Sequence, residues 1–160
     1  MSASTKKKVI VRRFDREPVL GLVDPGTYLQ AGGVEIMATK VTVSILPYSE
    51  VKAVCFVKDF EGPHQETEPK LFHARPKMEG LWVRMLFRDG ELMDGLLPNK
   101  LLDLESLGFT VVPPNPNSNN QKIFVPRTAL REFHILAVIG SPLHPRKTKP
   151  VPKTQLEMFE

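Results

Sequence analysis

The chain contains two similar segments, DREPVLGLVDPG at 15–26 and RDGELMDGLLPN at 88–99. The shared residues are an aspartate, a glutamate and a glycine at a constant offset of 74 residues: Asp15, Glu17 and Gly21 in the first segment, and Asp89, Glu91 and Gly95 in the second. A glycine inside a strand often marks a sharp bend or the close approach of another backbone. The repeat therefore predicts two related halves, each with a bent second strand. The alternative is one irregular β-domain with chance similarity.

Short runs rich in apolar and β-branched residues, separated by turn signals such as Asp-Gly and Asp-Pro-Gly, fill both halves. Fifteen prolines in 160 residues also disfavour long helices. This pattern predicts an all-β protein with five strands in each half. The predicted strands are 9–14, 18–23, 33–38, 41–46 and 51–57, then 81–88, 91–97, 108–112, 121–126 and 130–139.

The second half resembles the Sm-like and SH3-like small barrels. VRMLFRDGELMDGLL is similar to the first Sm motif, and KIFVPRTALREFHIL stands where the second would be. The resemblance implies two tandem five-stranded barrels at 7–58 and 79–140. The composition of the remaining segments predicts a disordered stretch at 1–6, a linker at 59–78 and a flexible, basic, Pro-rich tail at 141–160. The segments GLWVR, FRDG, GLLPN, SNNQKIFVPR and AVIG also resemble an uncharacterised bacterial family of no assigned activity.

Composition and motifs favour a non-catalytic protein that binds no cofactor. The net charge of +4 permits a nucleic-acid partner without requiring one. No phosphate-binding glycine loop or nucleophile motif is present, and the four histidines and Cys55 lack metal-ligand spacing. No apolar stretch reaches 18 residues, so we expect a cytoplasmic protein without a membrane partner. Exposed strand edges are usually paired or covered, so we expect association between barrels, within the chain or in a homo-oligomer.

Two nucleotide-binding hypotheses come from the basic residues. Sm proteins bind RNA bases partly through an Arg-Gly pair, which this chain lacks. A weaker contact with the phosphates of RNA or single-stranded DNA remains as an alternative to a solvated surface, and its candidates are Arg12, Arg13, Lys122, Arg127 and Arg131. Arg84 and Arg88 have the R-x-x-x-R spacing of the cyclic-dinucleotide-binding PilZ domains, but the glycine-containing partner motif is missing. A solvated strand face is therefore the favoured interpretation of these two arginines.

The last residues carry the sharpest functional prediction. QLEMF, at 155–159, resembles the peptide by which bacterial replication and repair proteins dock on the DNA sliding clamp, and all four specified positions match: Gln155, Leu156, Met158 and Phe159. A few buried apolar anchors usually supply most of the energy of such docking. The sequence thus predicts a binding or adaptor protein that docks on the clamp. The alternatives are a coincidental match or a tail that folds back on a barrel.

Overall fold

The computed structural model describes residues 5–38, 42–61, 70–100, 106–114 and 118–140. Within these residues the regular structure is β-strand, with one 3₁₀ turn at Arg127–Ala129. The strands are β1 Lys7–Arg13, β2 Val19–Val23, β3 Leu29–Gln30, β4 Gly33–Met37, β5 Val43–Leu46, β6 Val51–Val57, β7 Gly80–Phe87, β8 Leu92–Leu97, β9 Gly108–Val111, β10 Asn120–Pro126 and β11 Leu130–Ile139.

The strands of the first half follow one another round a curled sheet. β1 pairs antiparallel with β2, β2 with β4, and β4 with β5 and with the short strand β3. β6 then returns to pair with the free side of β1. Between β5 and β6, a tight turn is closed by the amides of Glu50 and Val51, which donate to the carbonyls of Pro47 and Tyr48.

The second half uses the same order of pairings. β7 pairs antiparallel with β8, a single bridge from Leu96 to Val112 connects β8 to the end of β9, and β9 pairs with β10. The 3₁₀ turn follows, and β11 returns to pair with β7. β7, β8 and β11 form a separate three-stranded sheet, whereas β9 and β10 belong to the large sheet of the first half.

The pairing of β6 with β10 joins the two halves and creates the eight-stranded curled sheet. Every residue of β6 is buried because both of its faces are covered. Val54 and Phe56 pack in one hydrophobic cluster with Phe124 of β10, while Ala53, Cys55 and Val57 pack in the other with Ile123 and Val125. Side chains alternate across a strand, so β6 and β10 together form a shared wall between two cores.

The glycines of the repeat stand at close approaches between neighbouring strands. A Cβ atom on Gly21 would lie 2.6 Å from the carbonyl oxygen of Met37 on β4, and one on Gly95 would lie 2.7 Å from Val111 on β9. Each glycine therefore allows the next strand to cross its own strand closely, as the sequence predicted.

The all-β prediction is confirmed for the described residues, and the observed strands lie within about two residues of their predicted limits. β3 was not predicted, because two residues give no detectable alternation. Part of the predicted linker also has a defined place: the backbone of residues 70 and 72 is hydrogen-bonded to Asp94 of β8.

Candidate functional site

Asp94 is a fully buried carboxylate at the centre of β8, and four hydrogen bonds satisfy it. Arg84, directly opposite on β7, donates from Nε to Oδ1 at 2.7 Å and from Nη2 to Oδ2 at 3.0 Å. The indole of Trp82 and the backbone amide of Phe72 each donate to Oδ2 at 3.1 Å. The ion pair raises the pKa of Arg84, chiefly through the hydrogen bond to Asp94. The hydrogen bonds to Asp94 hold the 70–72 segment against the outer face of β7 and β8.

A second charged cluster surrounds Lys52, whose side chain is buried although it lies on a strand of the shared wall. Its ammonium lies 2.6 Å from carboxylate oxygens of both Asp89 and Glu91, and Lys70 contacts Glu91 at 2.9 Å. Burial alone would raise the pKa values of the two carboxyl groups. The hydrogen bonds and charge of Lys52, together with Lys70 at Glu91, outweigh burial, so both pKa values are lowered.

Four arginines and Phe14 lie together where the β1–β2 turn meets the β7–β8 turn. We call the set Arg12, Arg13, Phe14, Arg16 and Arg88 the Phe14 surface. Two adjoining clefts of about 300 Å³ share Arg13, Phe14 and Arg16 in their walls, and Arg12 lines one while Arg88 lines the other.

Contacts of the arginines with the protein fix the shape of the Phe14 surface. The guanidinium of Arg88 stacks 4.1 Å from the Phe14 ring centroid and donates to the carbonyl of Ser49 at 2.6 Å. Arg13 donates twice to the carbonyl of Glu17, at 2.9 and 2.7 Å. Asp15, Glu50 and Asp89 also line the clefts, so the charge of this surface is mixed.

The five basic residues predicted from sequence do not all share this surface. Arg12 and Arg13 belong to it, and Arg131 adjoins it by donating to the carbonyl of Arg88 at 3.2 Å. Lys122 instead lies over the ring of Phe56, 4.6 Å from its centroid. Arg127 stacks at 4.7 Å on Phe109 and donates to the carbonyl of Ser106.

The surroundings of the two arginines with the R-x-x-x-R spacing, Arg84 and Arg88, also differ from those predicted. A solvated face was expected for both, but Arg84 is bound to Asp94 because the hairpin register places these residues opposite each other. Arg88 is exposed, yet it is held against Phe14. Both arginines of this spacing therefore have contacts within the protein.

An apolar cleft of about 540 Å³ lies between the 71–78 segment and the β8–β9 side of the second half. Phe72 packs edge to face on Trp82 at its wall, with ring centroids 5.9 Å apart, and Leu96, Val112 and Pro113 complete the opposite side. Arg75, another wall residue, approaches the carbonyl of Val138 near the end of β11. The lining of the cleft is mostly apolar, and His73, Arg75 and Lys77 are its basic members.

Residues 155–159, which carry the predicted clamp-docking positions Gln155, Leu156, Met158 and Phe159, lie outside the described residues. In the part of the chain that is described, no group of three or more His, Cys, Asp or Glu side chains could hold a metal ion. Cys55 is a buried residue of the shared wall. No helix among the described residues is long and apolar enough to cross a membrane.

Sequence reasoning missed Lys52 and Asp94, the two buried charges that organise these clusters. Asp94 interrupts an apolar strand, and the Asp89-Gly90 turn places it opposite Arg84, so this pair had a local signal. Lys52 had none, because its partners Asp89 and Glu91 lie 37 and 39 residues further along the chain.

Fold and site define an all-β protein with two ion-pair clusters around the buried charges Asp94 and Lys52, and with a group of arginines beside Phe14. Residues 5–137 match a family of unknown function, DUF6982, and the chain belongs to that family. Comparison with the curated proteins and with the solved structures gave no match.

Proposed function

We propose that the chain is a non-catalytic adaptor built from two tandem Sm/SH3-like barrels, at 7–58 and 79–140, that carries a clamp-docking peptide at its C-terminal end. The registers of the two halves support the barrel interpretation. Val9 of β1 pairs with Gly21 and Phe56, and its repeat equivalent Val83 pairs with Gly95 and Ile135. Val9 and Gly21 are related to Val83 and Gly95 by the offset of 74 residues, and Phe56 is related to Ile135 by 79, the offset that also relates Pro47 to Pro126. This agreement favours an internal duplication over one irregular β-domain.

The observation that carries the functional proposal is the QLEMF peptide at 155–159. Gln155 supplies an amide for hydrogen bonds at the rim of a groove, and Leu156, Met158 and Phe159 supply apolar anchors for its floor. Glu157 stands at the position where the motif accepts any residue. The peptide therefore contains both the required side chains and a built-in position for a control.

The sequence places enough residues between Gly140 and the peptide for it to reach a partner. Fourteen residues separate Gly140 from Gln155, and several are prolines. A Pro-rich chain extends about 3 Å per residue, so this tether can span about 40 Å. Four basic side chains along it can steer the peptide toward an acidic surface: Arg146, Lys147, Lys149 and Lys153.

The test is a calorimetric titration of purified bacterial sliding clamp with the full chain. We expect a dissociation constant on the order of 1 μM, equivalent to about −8 kcal/mol. Replacing both Gln155 and Phe159 by alanine should abolish binding, whereas the control Glu157→Ala should leave the constant within about twofold. Absence of wild-type binding at hundreds of micromolar, or equal binding by the double variant, would refute clamp docking.

A second candidate, binding of single-stranded nucleic acid, is favoured by the Phe14 surface. Arginines beside an aromatic ring suit a single strand, because guanidinium groups contact phosphates and the guanidinium of Arg88, held on the Phe14 ring, can stack on a base. Each lost phosphate contact should reduce the slope of log affinity against log salt by about 0.7. We expect Arg16→Glu to weaken oligonucleotide binding and lower this slope, and Lys122→Glu, away from the surface, to do neither. Equal effects of the two variants would place binding elsewhere.

A further inference from the structure

Exposed apolar side chains are concentrated on two strands. Of the eight large hydrophobic residues that are exposed among the described ones, five lie on β5 or β11: Val43, Ile45, Ile135, Leu136 and Val138. In the described strands β5 pairs with β4 alone and β11 with β7 alone. Each therefore presents one unpaired backbone edge together with apolar side chains, which is the combination that templates pairing with another strand.

These two strands are the repeat equivalents of the strands that already pair inside the molecule. With the offset of 79 that relates Pro47 to Pro126, β5 corresponds to residues 122–125 of β10, and β11 corresponds to β6. The glycine contacts support this equivalence. A Cβ atom on Gly33 would meet the carbonyl oxygen of Leu46 at 2.1 Å, and one on Gly108 would meet that of Val125 at 2.2 Å.

The internal junction defines what such a pairing looks like. Lys122 lies opposite Phe56, Ile123 opposite Cys55 and Phe124 opposite Val54. Phe124 crosses the wall and is completely buried in the core of the first half, beside Val54 and Phe56. One half of the chain thus inserts a large apolar side chain into the core of the other.

We propose that β5 of one copy of this chain pairs antiparallel with β11 of a second copy, in the register of the internal junction. Val43 then lies opposite Ile135, Ser44 opposite His134 and Ile45 opposite Phe133. Ile45 takes the position of Phe124, and Phe133 and Ile135 take those of Val54 and Phe56.

A second copy is the occupant because the chain supplies both halves of this contact. The two edges differ, so the contact is heterologous: each copy offers β5 to one neighbour and β11 to the other. Such contacts build head-to-tail assemblies, which are rings where the rotation closes and filaments where it does not. The internal junction and the intermolecular one would then alternate along the assembly.

Two single substitutions test the proposal, each placing a charge on one edge. Ile45→Glu disables β5 and Ile135→Glu disables β11. Light scattering after size exclusion measures the assembled mass. We expect the wild type at about 100 μM to have a mass above the monomer mass of 18.0 kDa, and each variant alone to have a mass close to that of the monomer. An equimolar mixture of the variants retains one intact β11 edge and one intact β5 edge. It should form a complex of two chains and nothing larger.

Leu92→Glu is the matched control, because Leu92 is an exposed apolar residue on β8, away from both edges. It should assemble like the wild type, as should a chain ending at Gly140, which lacks the proposed clamp-docking peptide. The truncated chain separates this proposal from clamp docking, since only the latter needs the tail.

Disulfide cross-linking tests the proposed register between β5 and β11. Val43→Cys and Ile135→Cys in one chain should cross-link between molecules under mild oxidation, whereas Val43→Cys with Leu92→Cys should not. A monomeric wild type at 100 μM, an Ile45→Glu variant that assembles normally, or an absence of the mixed two-chain complex would each overturn the proposal.

Discussion

Removing the carboxylate of Asp94 should destabilise the protein strongly, and the magnitude follows from its contacts. Asp94→Ala deletes the acceptor of four hydrogen bonds, two of them from the guanidinium of Arg84. Breaking a buried ion pair by removing one partner costs about 3 to 5 kcal/mol. The Arg84 side chain retains 35% of its exposure and can turn toward water, which favours the lower part of that range. We therefore expect a loss of about 3 kcal/mol in the free energy of unfolding.

Urea denaturation measures this loss, and amide hydrogen exchange shows where it acts. The amide of Phe72 should lose protection in Asp94→Ala, because its acceptor is gone. Adding Arg84→Met to Asp94→Ala should cost less than the sum of the two single changes, since the pair is already broken. The control Glu132→Ala removes the exposed pair with His134 and should cost below about 0.5 kcal/mol. A loss below about 1 kcal/mol for Asp94→Ala, with Phe72 still protected, would refute the reasoning.

Two further predictions concern packing and pH. In urea denaturation, Gly95→Ala should lower the free energy of unfolding by about 1 to 3 kcal/mol, because the new Cβ atom would lie 2.7 Å from Val111. The control Gly32→Ala has open space around it and should change the free energy by less than about 0.5 kcal/mol. Equal losses in the two variants would contradict the close approach at Gly95. The lowered pKa values of Asp89 and Glu91 mean that their contribution to stability is present above the ordinary pKa values and is lost as the pH falls through the folded-state values. The free energy of unfolding should therefore change less between pH 6 and pH 3 in the Asp89→Asn, Glu91→Gln double variant than in the wild type. Parallel pH curves would contradict this linkage.

Local patterns predicted much of the fold. The Asp89-Gly90 turn fixes the β7–β8 hairpin, and alternation defines its strands, because both signals lie within a few residues. The role of Gly21 and Gly95 also followed from their positions within strands. The shared wall could not be predicted in this way, since β6 and β10 are about seventy residues apart and nothing local specifies their pairing.

The candidate site was less predictable for the same reason. The five basic residues were grouped by type, but their surroundings depend on tertiary contacts, which place Lys122 on Phe56 and Arg127 on Phe109. The Phe14 surface combines two turns that are distant in sequence. Arg88 joins it by stacking on a ring from the other half. The peptide at 155–159 is a different case, because a linear motif is complete within five residues.

Hydrogen exchange of the full chain with and without bacterial sliding clamp tests the adaptor proposal most directly. Clamp docking predicts that the amides of residues 155–159 gain protection when the clamp is added, while the strands between residues 7 and 139 exchange at unchanged rates. The same measurement on the Gln155→Ala, Phe159→Ala double variant should show no gain. Protection gained in the strands instead of the peptide, or none anywhere with the clamp at hundreds of micromolar, would contradict the account.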